Sequence, residues 1–143
     1  MTLELQCEQF PLTHEQVMKI LDCACDKLNM RHDGHVTLRC VGIDEITNMN
    51  ATYRHKNSPT NILTFSYDEN EHDIAICMNV AMDEAQERGV GLADYVALLA
   101  THGFLHALGM DHEASDAEEL KTEELEKQIL AETGFSAVTL FSI

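Results

Sequence analysis

Positive charge is scarce in this chain. Nine lysines and arginines stand against 25 aspartates and glutamates, a formal net charge of −16. A field of that sign repels phosphate at long range, which excludes free-standing nucleic-acid binding through a broad basic surface; any such contact has to be local or assisted. Tryptophan is missing, and only two prolines and seven glycines occur in 143 residues of which 45% are hydrophobic. That balance excludes a disordered or low-complexity chain and fits one ordinary domain over residues 1–143. No run approaches the roughly 18 uncharged apolar residues that a bilayer span requires, and "MTLELQCEQFPLTHEQ" lacks the basic-then-apolar form of a secretion signal. The expectation is a soluble, cytoplasmic protein without membrane contact. The five cysteines, an odd number without a C-x-x-C pair, are expected to stay thiols. Cys7, Cys40 and Cys77 fall on apolar strand positions, and Cys23 and Cys25 lie about 200° apart around a helix, unable to share an ion.

What is present is regular patterning. "LELQC" (3–7) and "HVTLRCVGI" (35–43) alternate as strands do, and "NILTFSY" (61–67) and "DIAICM" (73–78) are β-rich runs joined through the acidic "DENEH", a hairpin signal without a two-residue turn. Thr13 with Gln16 forms a capping box ahead of a helix over 13–30, whose Val17, Ile20, Leu21, Ala24 and Leu28 share a face. Short helices are expected over 44–53 and over 80–88, the second ended by Gly89. A longer one should run over 94–108, capped by Asp94 and ended by Gly109. The last opens on the capping pair Ser115 and Glu118 and reaches Glu132; its "EELKTEELEKQ" reads as solvated surface. The closing "FSAVTLFSI" is apolar and packs either on the body or on a partner. The fold class is therefore α+β, a mixed sheet of about four strands with helices packed on it, in the order β-α-β-α-β-β-α-α-α.

"HGFLHALGMDH" (102–112) carries the chemistry. Residues four apart on a helix project from one face with Cβ atoms about 5 to 6 Å apart, so His102 and His106 can share an ion. A third ligand has to come from beyond the helix; Gly109 permits the break and His112 follows it. With eight histidines in 143 residues, these offsets arise by chance with a probability of about 0.02. Three neutral imidazoles suit one zinc per chain and leave a fourth tetrahedral position for water. Metzincin proteases share this spacing but place a glutamate, their general base, after the first histidine. Here that position is Gly103, so the ligand cage is kept without the peptidase's base.

The same eleven residues resemble the H-G-x-L-H-x-x-G-x-D-H signature of the YbeY family, bacterial metal-dependent endoribonucleases associated with ribosomal RNA maturation and ribosome quality control. "YRHKNSPTNILTF" (53–65) is similar to that family's Y-R-x-K-D-x-P-T-[DN]-V-L-S-F segment and "HDIAI" (72–76) to its G-D-I-x-I strand, so the likeness covers about residues 44–134. Asn57, Thr64, His72 and Met110 depart from the pattern without removing a ligand. The resemblance implies a zincin-like fold, His102, His106 and His112 as metal ligands, and Arg54 as the functional arginine. A planar guanidinium forks onto two phosphate oxygens and stabilises a phosphodiester as it is attacked; the rival role for Arg54 is a surface ion pair.

The function expected is single-strand-specific, metal-dependent endoribonuclease action in ribosomal RNA maturation, with zinc-bound water attacking phosphorus and Arg54 stabilising the charge. Ribosomal RNA or ribosomal particles, with a basic protein partner to offset the acidic surface, are the partners implied. Asp73 and Asp111 are candidates to orient the ligand rings, or else ordinary turn and cap residues. Two other readings stay open: a ribosome assembly factor whose metal is structural, and a zincin-like peptidase lacking the adjacent glutamate.

Overall fold

A computed structural model describes residues 1–30, 33–110 and 115–136. Nine elements follow one another: β1 (Thr2–Gln6), α1 (His14–Lys27), β2 (His35–Val41), α2 (Ile43–Arg54), β3 (Ile62–Asp68), β4 (Glu71–Cys77), α3 (Met78–Arg88), α4 (Leu92–Ala107) and α5 (Asp116–Glu132). The α+β class and the element order agree with the sequence reading.

The four strands form one mixed sheet in the order β1-β2-β4-β3. β1 and β4 both run parallel to β2, while β3 pairs antiparallel with β4 and, among the described residues, has no strand on its other side. The hairpin is tighter than its acidic connection suggests. β3 and β4 extend into that stretch until only Glu69 and Asn70 join them, and the Asp68 carboxylate accepts from the Asn70 N–H at 2.6 Å. A short side chain that bonds its own backbone two residues on is a local turn former, and it replaces the longer loop expected.

Helices cover both faces. The larger core lies between the sheet and α1, α4 and α5, built from Val17, Ile20 and Leu21 of α1, Val36, Leu38, Ile74 and Ile76 of the sheet, and Phe104 and Leu105 of α4. A smaller core under α2 holds Ile46, Leu63 and Ala75. Alternation along β3 therefore divides its side chains, with Ile62 facing the larger core and Leu63 and Phe65 the smaller. The Thr13–Gln16 capping box is present in both directions, at 3.1 and 2.9 Å.

Two local expectations are corrected. Asp94 does not cap α4; the helix begins one residue after Gly91, and Asp94 lies in its first turn, where its carboxylate accepts from the Ser136 N–H at 3.3 Å. Cys7 and Cys40 are not thiols but a disulfide with Cα atoms 5.0 Å apart, while Cys23, Cys25 and Cys77 remain unpaired. The parallel register explains this, because Gln6 stands opposite Arg39 and the next residue on each strand is a cysteine. No helix among the described residues is long and apolar enough to cross a membrane. Residues 137–143 of the apolar tail, like Asp111 and His112, lie outside the described residues; Phe135 before them packs against the larger core.

Candidate active-site cleft

The site is built on α4, the most enclosed helix of the fold. Ten of its 16 residues are buried, among them Tyr95, Val96, Leu99, Phe104 and Leu105. His102 and His106 emerge from this apolar cylinder on the side left uncovered, His102 partly buried and His106 exposed. The helix stops where the sequence says it must: Gly109 has φ +104°, a left-handed conformation that most side chains resist.

Gly103 explains how the floor of the site is packed. A Cβ placed there would stand 3.0 Å from Ile62 Cδ1 and 3.2 Å from Ile74 Cδ1, so the absence of a side chain lets α4 press onto the sheet. The position that carries the base in metzincins here points into the core. A carboxylate at 103 would meet isoleucine rather than solvent or a substrate.

A cavity of about 860 Å³ runs beside this helix and wraps around β3, reaching residues on both faces of that strand. His102, His106 and Arg54 all line it, so three of the four sequence-predicted site residues share one space. The fourth, His112, is outside the described residues. Among the described residues no group of three histidine, cysteine, aspartate or glutamate side chains is gathered for a metal ion. Arg54 is the last residue of α2, exposed, and followed by His55 in a left-handed cap at φ 59°. Asn50, buried one turn earlier, donates to the Ser58 carbonyl at 2.9 Å and fastens the loop that leaves Arg54. Arg54 makes no ion pair among the described residues.

The residue missed in the sequence is Glu126. It lies on α5, only 6% exposed, with a carboxylate oxygen 3.1 Å from His102 Nδ1. An ionised carboxylate only accepts, so a neutral ring bonded to it would carry its proton on Nδ1 and offer its lone pair on Nε2. A signal for it existed: Thr122, Glu126, Ile129 and Leu130 fall at helical spacing and are the buried residues of α5, so Glu126 occupies a core-facing position of an otherwise solvated helix. Asp73, considered for this orienting role, instead accepts from the Tyr67 hydroxyl at 3.0 Å. His72, where the family pattern has glycine, is buried and bonded to Ser66 Oγ at 2.7 Å and the Glu69 carbonyl at 3.2 Å, so it braces the hairpin.

One end of the cavity is closed by a polar knot. The Tyr95 hydroxyl and the Asn61 amide both donate to Glu84 Oε1 at 2.9 Å, and the Arg88 guanidinium lies 5.1 Å from the Tyr95 ring centre. Burial, then the bond to Glu84, pushes the Tyr95 phenol up to about 12 from its ordinary value of 10. A phenol that ionises later in the folded chain stabilises that state fully below pH 10 and stops doing so as pH rises through about 12. We expect stability to fall over that interval, with one tyrosinate absorbance developing last. Tyr95→Phe should abolish that late step in an alkaline absorbance titration.

A mixed four-stranded sheet with five helices, one of which presents two imidazoles one turn apart to a groove along β3, defines the α+β class of the fold. Residues 4–134 match the family model described as Endoribonuclease YbeY, and the chain belongs to that family. The Endoribonuclease YbeY of Burkholderia cenocepacia is 46% identical over 105 residues, covering 70% of this chain and 61% of that protein. Its counterpart in Aromatoleum aromaticum is 44% identical over 110 residues, covering 74% of this chain and 70% of the other. The match thus spans about three fifths of the length of the first relative. The solution structure of a Thermotoga maritima protein, 24% identical, superposes with a TM-score of 0.65 over 92% of this chain and 91% of that one, a likeness of fold.

Proposed function

We propose that the chain is a single metal-dependent hydrolase domain over residues 1–143 that cuts single-stranded ribosomal RNA during its maturation in the cytoplasm. The observation that carries this reading is the convergence of His102, His106 and an exposed arginine, Arg54, on one cavity in a chain otherwise poor in cations. The name shared by its relatives supports the same reaction.

His102, His106 and His112 would hold one zinc ion. The donor set fits, because the Glu126 contact directs the lone pair of His102 to Nε2. Such an ion, when bound, supplies Lewis acidity and lowers the pKa of a coordinated water toward about 7. The chain's own residues do the rest. Glu126 holds the His102 ring in one tautomer and direction. Arg54, at the rim across the groove, forks onto the phosphate oxygens of the strand and stabilises the charge that grows on them during attack. Gly103 leaves the adjacent-base position of the peptidases inside the apolar packing, so a peptidase on this cage would need its base from another residue.

The acidic exterior makes delivery part of the function. A basic protein partner or a ribosomal particle would offset the repulsion that a charge of −16 exerts on RNA. Arg54→Ala is expected to lower kcat on a single-stranded ribosomal RNA fragment by about 10² to 10³, the usual cost of one charge-stabilising donor, with Arg54→Lys recovering part of it. A gel-based cleavage assay reads this directly. Wild-type rates in Arg54→Ala would eliminate the phosphate role.

A further inference from the structure

Among the described residues β3 is an edge strand, and the cavity folds around it. On the face turned away from the histidine helix, Phe65 stands opposite Asp73, and Tyr67, at the register shift between Ser66 and Asp68, reaches that same Asp73 with its hydroxyl. Tyr53, from the last turn of α2, lies over Phe65 with ring centres 4.6 Å apart and planes inclined at 55°. Tyr53 is 64% exposed and Tyr67 70%, although both line the cavity. The Tyr67 hydroxyl is tied to Asp73, so the ring is held by its polar end while its apolar face stays open to solvent. Packing accounts for Phe65, which touches the smaller core, but not for two open phenol rings at one rim of a groove.

Charge says what those rings face. Tyr53 immediately precedes Arg54, so an aromatic surface and the exposed guanidinium of the rim are adjacent in the chain. Proteins that hold single strands combine a cation for the backbone with aromatic rings on which unpaired bases stack, and the stacking contribution does not depend on base identity. In a chain of net charge −16, attraction through phosphates alone is weak, and stacking is the contact that the acidic field does not oppose.

We propose that Tyr67 and the Tyr53–Phe65 pair form a stacking platform for the unpaired bases of a single-stranded RNA laid along the edge of β3, with Arg54 holding its phosphates. This rests on the nuclease reading and adds to it a physical reason for preferring single strands: bases already paired in a duplex have no face to offer these rings.

The test uses the whole chain, a fluorescein-labelled single-stranded RNA of ten nucleotides, and the same sugar-phosphate backbone without bases, with binding read by anisotropy before cleavage proceeds. The wild type should bind the base-bearing strand at least about tenfold tighter than the abasic one. Tyr67→Ala and Tyr53→Ala should each weaken the base-bearing strand by about 5- to 100-fold and leave the abasic strand unchanged. Tyr53→Phe should keep wild-type affinity, and the factor lost on Tyr67→Ala should not change with salt. Arg54→Ala, in contrast, should weaken both strands alike. Equal binding of the two strands by the wild type, or full affinity in both alanine variants, overturns the platform and leaves the nuclease reading standing. Absence of any RNA binding by the wild type overturns the nuclease reading itself. An extended peptide that binds where RNA fails to compete would assign the β3 edge to strand addition instead, and would also overturn the proposal.

Discussion

His106→Ala is expected to reduce bound zinc from one ion per chain to none and to bring RNA cleavage to background. The physical case is that this substitution removes an exposed ring from the cavity without emptying the core. His106 is exposed on α4 and lines the cavity, so its ring contributes no core packing to lose. Alanine is the best helix former, which changes local helix stability by at most about 0.7 kcal/mol in the favourable direction. A folded protein with an unchanged melting temperature in the presence of chelator, yet without metal by elemental analysis, is therefore the outcome that identifies the residue as a ligand. Retention of a stoichiometric ion by the purified variant would contradict the assignment. Running His102→Ala beside it adds a control of a different kind, because that change also leaves the buried Glu126 carboxylate without its imidazole partner, at a cost of about 1 to 3 kcal/mol.

The second large effect is on folding. Gly103→Glu would restore the residue that follows the first histidine in metzincins, and it should unfold the protein instead of creating a peptidase. The new Cβ meets Ile62 and Ile74 at 3.0 to 3.3 Å, all three nearest atoms being apolar, so the longer side chain has to enter that packing. Overpacking costs about 1 to 3 kcal/mol, and an unpaired buried charge adds several more. Together they approach the whole stability of an ordinary domain, about 5 to 15 kcal/mol. The expected result is insoluble protein, or a melting temperature lower by on the order of 15 °C. Gly103→Ala should cost far less, since the nearest atom is the tip of a mobile isoleucine and alanine regains about 0.5 to 1 kcal/mol of helix propensity. A stable Gly103→Glu protein would refute the close-packing account of this glycine.

How far the sequence disclosed all this depends on whether the deciding interaction was local. The capping box at Thr13, the glycine that ends α4 and the strand alternation were legible because each acts within one turn or one pleat. The pairing of His102 with His106 was legible for the same reason. The Cys7–Cys40 link was not, since it follows from the register of two parallel strands separated by a whole helix. Glu126 was read as solvated surface because 24 residues separate it from His102, although its place among Thr122, Ile129 and Leu130 marks it as facing inward. Asp73 misled by position: its neighbour in the sheet register is Phe65, on the face away from α4, and its carboxylate answers Tyr67 instead.

The seating of α4 against the sheet has a dynamic consequence. A helix with ten enclosed residues and no room at Gly103 has no partial opening open to it, so its amide protons should exchange with deuterium only when the entire chain unravels. Arg54 belongs to the opposite regime, at the fraying end of a short helix with its side chain in water. One wall of the groove is thus as durable as the molecule, while the other rearranges on the fast timescale of surface side chains, a combination suited to gripping strands of varied sequence without disturbing the reactive centre.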